Sequence, residues 1–160
     1  MIFISTGSRK FQFNRLIKKV DELVANGEIK EEVFAQIAET EYIPKNYGYK
    51  RYLSSEEFSK YQQEADLIIS HAGTGALVGA LKKGKQVIAV PRLFKFGEHS
   101  TDHQTEISQV LTDEGYLRQV LDIDELGNVI EECHKNPILK KYDKPSNIID
   151  IIEDFIEKNV

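Results

Sequence analysis

Apolar residues along the chain alternate between two rhythms. Ile2-Phe3-Ile4 is an unbroken apolar run that ends in Ser5-Thr6-Gly7-Ser8, as a buried parallel strand entering a turn does. From Phe13 the spacing becomes helical, with Leu16, Ile17, Val20, Leu23 and Val24 on one side. Asn26-Gly27 ends that helix, and Gly27 suits the left-handed position beyond it. Val33 to Ile37 predicts a second strand, Tyr42 to Tyr47 a loop containing Pro44, and Tyr49 to Leu53 a third strand. Ser54 and Glu57 form a capping box before a helical face of Phe58, Tyr61 and Ala65. Leu67 to Ser70 is the fourth strand, followed by His71-Ala72-Gly73-Thr74-Gly75, a short helix to Lys83, and a fifth strand, Val87 to Val90.

Thr101 and Gln104 form a second candidate capping box, before a helix with Ile107, Val110 and Leu111 that Gly115 ends. Leu117 to Val120 is a short sixth strand. Asp122 caps a helix with Leu126, Val129, Ile130 and Cys133 inward, and Asn136-Pro137 breaks it. A last helix from Ser146 carries Ile148, Ile149, Ile151, Ile152, Phe155 and Ile156, a stripe wide enough for either core packing or docking. Strands alternating with helices predict α/β architecture, a single Rossmann-like domain over residues 1–160 with a parallel sheet covered on both faces.

Composition narrows the function. The 160 residues suit one domain with a real core. A net charge of −5, from 21 basic and 26 acidic residues, argues against a nucleic-acid partner. Cys133 is the only cysteine, so no internal disulfide forms; it reads as core, and a reducing cytoplasm is the expectation. No apolar run approaches the roughly 20 residues that span a bilayer. The first strand leaves no room before it for a signal peptide.

Three turns carry the candidate chemistry. Gly7 and Ser8 lie between a strand and a helix, where backbone N–H groups and the helix dipole receive a diphosphate; a plain βα turn has the same composition. The full G-x-G-x-x-G fingerprint is absent, since Arg9, Lys10 and Phe11 follow, which counts against a nicotinamide or flavin enzyme. In His71 to Gly75, Gly73 and Gly75 let backbone approach a ligand while His71 points into the crevice. The alternative is a tight turn with Thr74 capping and His71 packed. In Glu98-His99-Ser100-Thr101-Asp102-His103-Gln104, the acidic, His and Gln side chains suit the hydroxyls of a sugar. His99 and His103 are four apart, but His99 precedes the helix, so no metal site is assigned. Tyr52 and Leu53 end a strand and offer an aromatic and an aliphatic wall for a base. The Lys82-Lys83-Gly84-Lys85 run reads as a solvated helix end.

Ser70-His71-Ala72-Gly73-Thr74-Gly75 and Leu81 to Arg92, with Phe96-Gly97-Glu98-His99 and Asp102-His103-Gln104, resemble a known family. It is the C-terminal donor-binding domain of GT-B glycosyltransferases, of the glycosyltransferase family 28 C-terminal type. Within it, the chain most resembles the catalytic subunits of bacterial exopolysaccharide and capsule β-glycosyltransferases and of the two-subunit dolichol-linked GlcNAc transferase. The resemblance covers residues 1 to about 120.

It implies an inverting hexosyltransferase subunit that moves a sugar from a UDP-sugar to a lipid-linked saccharide, with no cofactor. Gly7 and Ser8 would hold the diphosphate, Tyr52 and Leu53 would flank the uracil, and His71, Gly73, Thr74 and Gly75 would line the crevice. Glu98, Asp102, His103 and Gln104 would contact the sugar. The candidates for general base are His99, His71 and a partner chain. Relatives carry a ribose-holding glutamate on the helix after the glycine turn, and the aligned residue here is Gly79. A complete GT-B enzyme has two such domains, so the resemblance also implies a membrane-anchored Rossmann-like partner subunit that recruits this chain to the inner face of the plasma membrane. The alternative is a non-catalytic nucleotide-sugar-binding subunit that activates a partner transferase.

Overall fold

Ile2-Phe3-Ile4 is wholly buried, yet its side chains point to opposite faces of the sheet, as the pleat of a strand requires. Ile2 and Ile4 join one core with Leu16, Ile17 and Val20. Phe3 joins a second core with Ile68, Leu77 and Val87. A strand apolar on both faces needs helices on both, and that is the architecture found. The structure, a computed structural model, describes residues 1–7, 11–98 and 103–143. The predicted last helix from Ser146 lies outside them.

Six strands, β1 Ile2–Ser5, β2 Val33–Gln36, β3 Gly48–Lys50, β4 Leu67–Ser70, β5 Gln86–Ala89 and β6 Arg118–Gln119, form one sheet in the order β3-β2-β1-β4-β5-β6. Every pairing is parallel. The helices are α1 Asn14–Ala25, α2 Ser55–Glu64, α3 Thr74–Lys82, α4 His103–Asp113 and α5 Leu126–Lys135. Helices α1 and α5 pack on the Ile4 face, and α2, α3 and α4 on the Phe3 face. The chain runs outward from β1 to β2 and β3, then returns to β4 on the other side of β1. Open α/β sheets bind ligands at the carboxyl ends of the strands flanking such a reversal.

The elements predicted within the described residues are found, with local differences. β3 stops at Lys50 rather than Leu53. Arg51 turns away to give its guanidinium to the carbonyls of Ala38 and Thr40, so Tyr52 and Leu53 fall in the loop before α2. The Ser54–Glu57 capping box is formed reciprocally. Asp122 caps a 3-10 turn, Ile123–Glu125, rather than α5 itself. A further 3-10 turn, Phe94–Phe96, is closed by left-handed Gly97 and has no signature in the hydrophobic pattern. Lys83 and Lys85 are half-buried and bind α2, Lys83 through Ser59 and Gln62 and Lys85 through the Gln63 carbonyl. Cys133 is buried, and burial pushes its thiol up, which leaves it inert. Among the described residues no helix is long and apolar enough to cross a membrane.

The loop between β2 and β3 hangs on one carboxylate. Asp21 lies on the buried face of α1. It accepts from the Tyr42 hydroxyl at 2.7 Å, the backbone N–H groups of Lys45 and Asn46 at 3.0 and 2.9 Å, and the Asn46 amide at 3.0 Å. Burial alone would push its pKa up, but these four donors outweigh it and hold the carboxyl below its ordinary value. A depressed folded-state pKa adds stability that is present above the unfolded value of about 3.9 and is lost as pH falls through the lower folded value. Asp21→Ala is therefore expected to cost about 3 kcal/mol at neutral pH, by loss of charge-assisted hydrogen bonds to buried donors. It should also flatten the acid limb of the stability profile. Urea unfolding at pH 7 and pH 3 checks both; equal losses at the two pH values would contradict the assignment.

Candidate nucleotide-sugar cleft

A cleft of about 490 Å³ opens at the carboxyl ends of β1 and β4, on the Phe3 face of the sheet. Ser5 and Gly7 come from β1 and the turn after it, and His71 from the end of β4. Gly75, Ala76 and Gly79 are the wall from α3; Leu53, Phe58 and Gln62 are in the opposite wall, from α2 and the loop before it. Among the described residues no Asp, Glu, Lys or Arg lines it, so an anion meets no repelling carboxylate from them.

His71 explains the two turns beside it. Its Nδ1 lies 3.3 Å from the Ser5 carbonyl, which can only accept, so Nδ1 carries a proton. The imidazole edge then runs between Gly7 and Gly73. A Cβ built on Gly7 would lie 2.6 Å from His71 Nε2, and one on Gly73 only 2.2 Å from it. Gly7 also needs its left-handed backbone, φ 79°. Gly73 does not, at φ −69°. It is glycine because the histidine fills its side-chain space. The left-handed residue of that turn is Ala72, φ 69°, a conformation that non-glycine residues hold only under constraint from their surroundings. Gly75 has nothing within 4 Å of a built Cβ and opens onto the cleft.

The start of α3 carries no side-chain cap. Gly73 is the N-cap, and Thr74 is the first helical residue rather than the cap. The first-turn N–H groups of Gly75 and Ala76 lie where both residues line the cleft, and the positive end of the helix dipole adds to them. Ser5 is 1% exposed, and its hydroxyl has no partner among the described residues. Gln36 braces the opposite side: its amide donates to the Gly7 carbonyl at 3.2 Å and accepts from Leu53 N–H at 3.1 Å. Neither Ser5 nor Gln36 stands out in the sequence. Period-2 alternation with Phe3 is the available signal for Ser5; Gln36 has none.

The structure gathers Gly7, Leu53, His71 and Gly75 around one cleft. Gly73 and Thr74 sit at its α3 edge without lining it. Tyr52 is half-exposed, outside the cleft wall, and gives its hydroxyl to Glu39. Glu98 departs most from its expected role. It is 1% exposed and paired with Arg15 through both carboxylate oxygens, at 3.0 Å each. It also accepts from Leu93 N–H at 3.0 Å. Its carboxylate is thus consumed in fixing the loop after β5, not turned toward a sugar. Ser8, His99 and Asp102, and the side chains of His103 and Gln104, lie outside the described residues, as does the second capping box. Among the described residues no cluster of three metal-ligating side chains occurs.

Residues 1–158 match the family described as Glycosyltransferase family 28 C-terminal domain. Over 55 residues, 34% of this chain, the sequence is 40% identical to the mouse UDP-N-acetylglucosamine transferase subunit ALG13, of which the match covers 4%. The fold is similar to that of Acinetobacter baumannii MurG, with a TM-score of 0.60 and 18% identity over 96% of this chain and 49% of that one. It is also similar to the solution structure of ALG13, with a TM-score of 0.59 and 18% identity over 91% of this chain and 90% of that one. The chain thus spans about half the length of the Acinetobacter protein and a small fraction of the mouse one.

Proposed function

We propose that this chain, which belongs to the glycosyltransferase family 28 C-terminal domain family, is a single nucleotide-sugar-binding domain over residues 1–160 and the catalytic subunit of an inverting hexosyltransferase. It takes a UDP-sugar as donor and a lipid-linked saccharide as acceptor, in exopolysaccharide or capsule synthesis. A membrane-anchored Rossmann-like partner carries the acceptor site and brings the chain to the inner face of the plasma membrane. The relative's name, a UDP-N-acetylglucosamine transferase subunit, supports both the donor class and a form assembled from more than one subunit.

The observation that carries this reading is the meeting, in one cleft at the reversal of strand order that no carboxylate lines among the described residues, of an uncapped helix start, two glycine turns and His71. In the reaction the acceptor hydroxyl attacks the anomeric carbon, the bond from that carbon to the diphosphate oxygen breaks, and a base removes the hydroxyl proton. Charge grows on the departing diphosphate, so fixed N–H donors there lower the barrier. The Gly7 turn and the first turn of α3 supply them, with the Ser5 hydroxyl as a further donor. His71, its Nδ1 held by the Ser5 carbonyl and its Nε2 between the glycine turns, belongs at this leaving-group end. The base is then His99 or a group on the partner, with Asp102, His103 and Gln104 on the sugar.

Calorimetric titration tests the donor site. UDP is expected to bind saturably in the millimolar range or tighter, alone or with the partner, and no binding under either condition overturns the reading. In the reconstituted complex His99→Ala and Asp102→Ala should each abolish sugar transfer. Full activity in both would make the chain a non-catalytic binding subunit.

A further inference from the structure

The wall of the cleft formed by α2 holds a buried amide whose orientation is fixed and whose donor is unused. Gln62 is 5% exposed and sits beside Phe58 and Leu53 in that wall. Its Oε1 accepts from Lys83 Nζ at 3.1 Å. The same ammonium donates to Ser59 Oγ at 2.9 Å and to the Ser59 carbonyl at 3.3 Å, so it is anchored to α2 by all its hydrogens. An ammonium only donates, so the end of the Gln62 amide that faces it must be the oxygen. The NH2 group then faces the other way, and Nε2 has no acceptor among the described residues. Across from it stands Gly79, where a built Cβ would have only the Gln62 amide near it, at 4.0 Å. Gly79 follows Gly75 by one helical turn, on the same face of α3. The cleft therefore runs from the helix start at Gly75 to an unused donor beside Gly79.

Resting on the reading of this cleft as a UDP-sugar site, we propose that Gln62, oriented by Lys83, recognises the nucleoside of the donor through an acceptor oxygen of its ribose or its base. The diphosphate lies at the Gly7 and Gly75 end, and the nucleoside extends along α3 toward Gly79, where the missing side chain leaves it room. The NH2 donates to no described residue in the free protein and lies where the cleft gives it water; it gains a fixed partner when the ligand enters and displaces that water. A ligand lacking the oxygen leaves the donor unpaired and is rejected. Gln62 is thus a specificity residue, separate from the groups that hold the phosphates.

NMR titration of the full chain with UDP, ribose 5-phosphate and inorganic pyrophosphate tests this. The Gln62 side-chain NH2 resonances should move with UDP and stay put with pyrophosphate. Movement with ribose 5-phosphate places the acceptor on the sugar; movement with UDP alone places it on the base. Gln62→Met should weaken UDP binding about tenfold and leave pyrophosphate binding unchanged. Lys83→Met, which keeps the amide but frees it to turn, should give a smaller loss of the same selectivity. Unmoved Gln62 resonances at saturating UDP, or equal losses of UDP and pyrophosphate in Gln62→Met, would overturn the proposal. If the wild-type chain binds neither ligand, the reading of the cleft itself fails and takes this inference with it.

Discussion

Gly73→Ala should destabilise the protein by about 2 kcal/mol, the range of overpacking a filled site, and should weaken UDP binding about a hundredfold by displacing the turns proposed to hold the phosphates. The direction runs against the usual expectation. At φ −69° an alanine is conformationally welcome, and loss of unfolded-chain freedom would normally make it stabilising by about 0.5 kcal/mol. Sterics decide otherwise. The new methyl would meet His71 Nε2 at 2.2 Å and Cε1 at 2.8 Å. The ring cannot swing away, because the same Nε2 edge also fills the side-chain space of Gly7 and its Nδ1 is held by the Ser5 carbonyl. A double-mutant cycle isolates the contact: in a His71→Ala background, Gly73→Ala should cost almost nothing. Unfolding curves of the four proteins give the coupling, which is expected to be about 2 kcal/mol. A Gly73→Ala protein as stable as the parent would show that the histidine does not occupy that space.

The second large effect is expected at Arg92, the largest fully buried side chain among the described residues. Its guanidinium donates to the carbonyls of Thr6, Phe11, Gln12 and Glu98 and lies 5.0 Å from the centre of the Phe13 ring. These carbonyls belong to the segment after β1 and to the loop after β5. One cation therefore ties together the backbone on both sides of the proposed phosphate site. Arg92→Met keeps volume but strands several buried acceptors, and should cost about 4 kcal/mol. That is a large fraction of the roughly 5–15 kcal/mol typical of a domain. Arg92→Lys should recover little, because an ammonium is a point donor and cannot span four carbonyls as the planar fork does. Urea unfolding measures both; a Met variant within about 1 kcal/mol of the parent would mean that water satisfies those carbonyls and that the knot is dispensable.

The sequence is a good guide wherever local periodicity and burial agree. The period of α1 in Leu16, Ile17, Val20 and Leu23 matches the residues found buried, and the Ser54–Glu57 box forms as written. His71 and the glycines around it are legible as a candidate site. The reason for Gly73 is not, because it depends on where the imidazole lies after β1 and β4 pair. Glu98 shows the limit most clearly. In the chain it stands beside His99 in a polar run suited to a sugar; in the fold it is buried against Arg15, 83 residues away.

Hydrophobic spacing alone thus determined the α/β class and the succession of strands and helices, because these follow from periods of 2 and 3.6 that each segment carries within itself, while the glycine, serine and histidine content of the turns marked the candidate chemistry. Tertiary structure alone decided the order of the strands, the cleft at their reversal, and the positions of Glu98, Arg92, Gln36 and Gln62. A polar side chain has no period to follow. Its destination is set by whichever unsatisfied carbonyl, amide or charge the assembled fold brings within hydrogen-bonding reach.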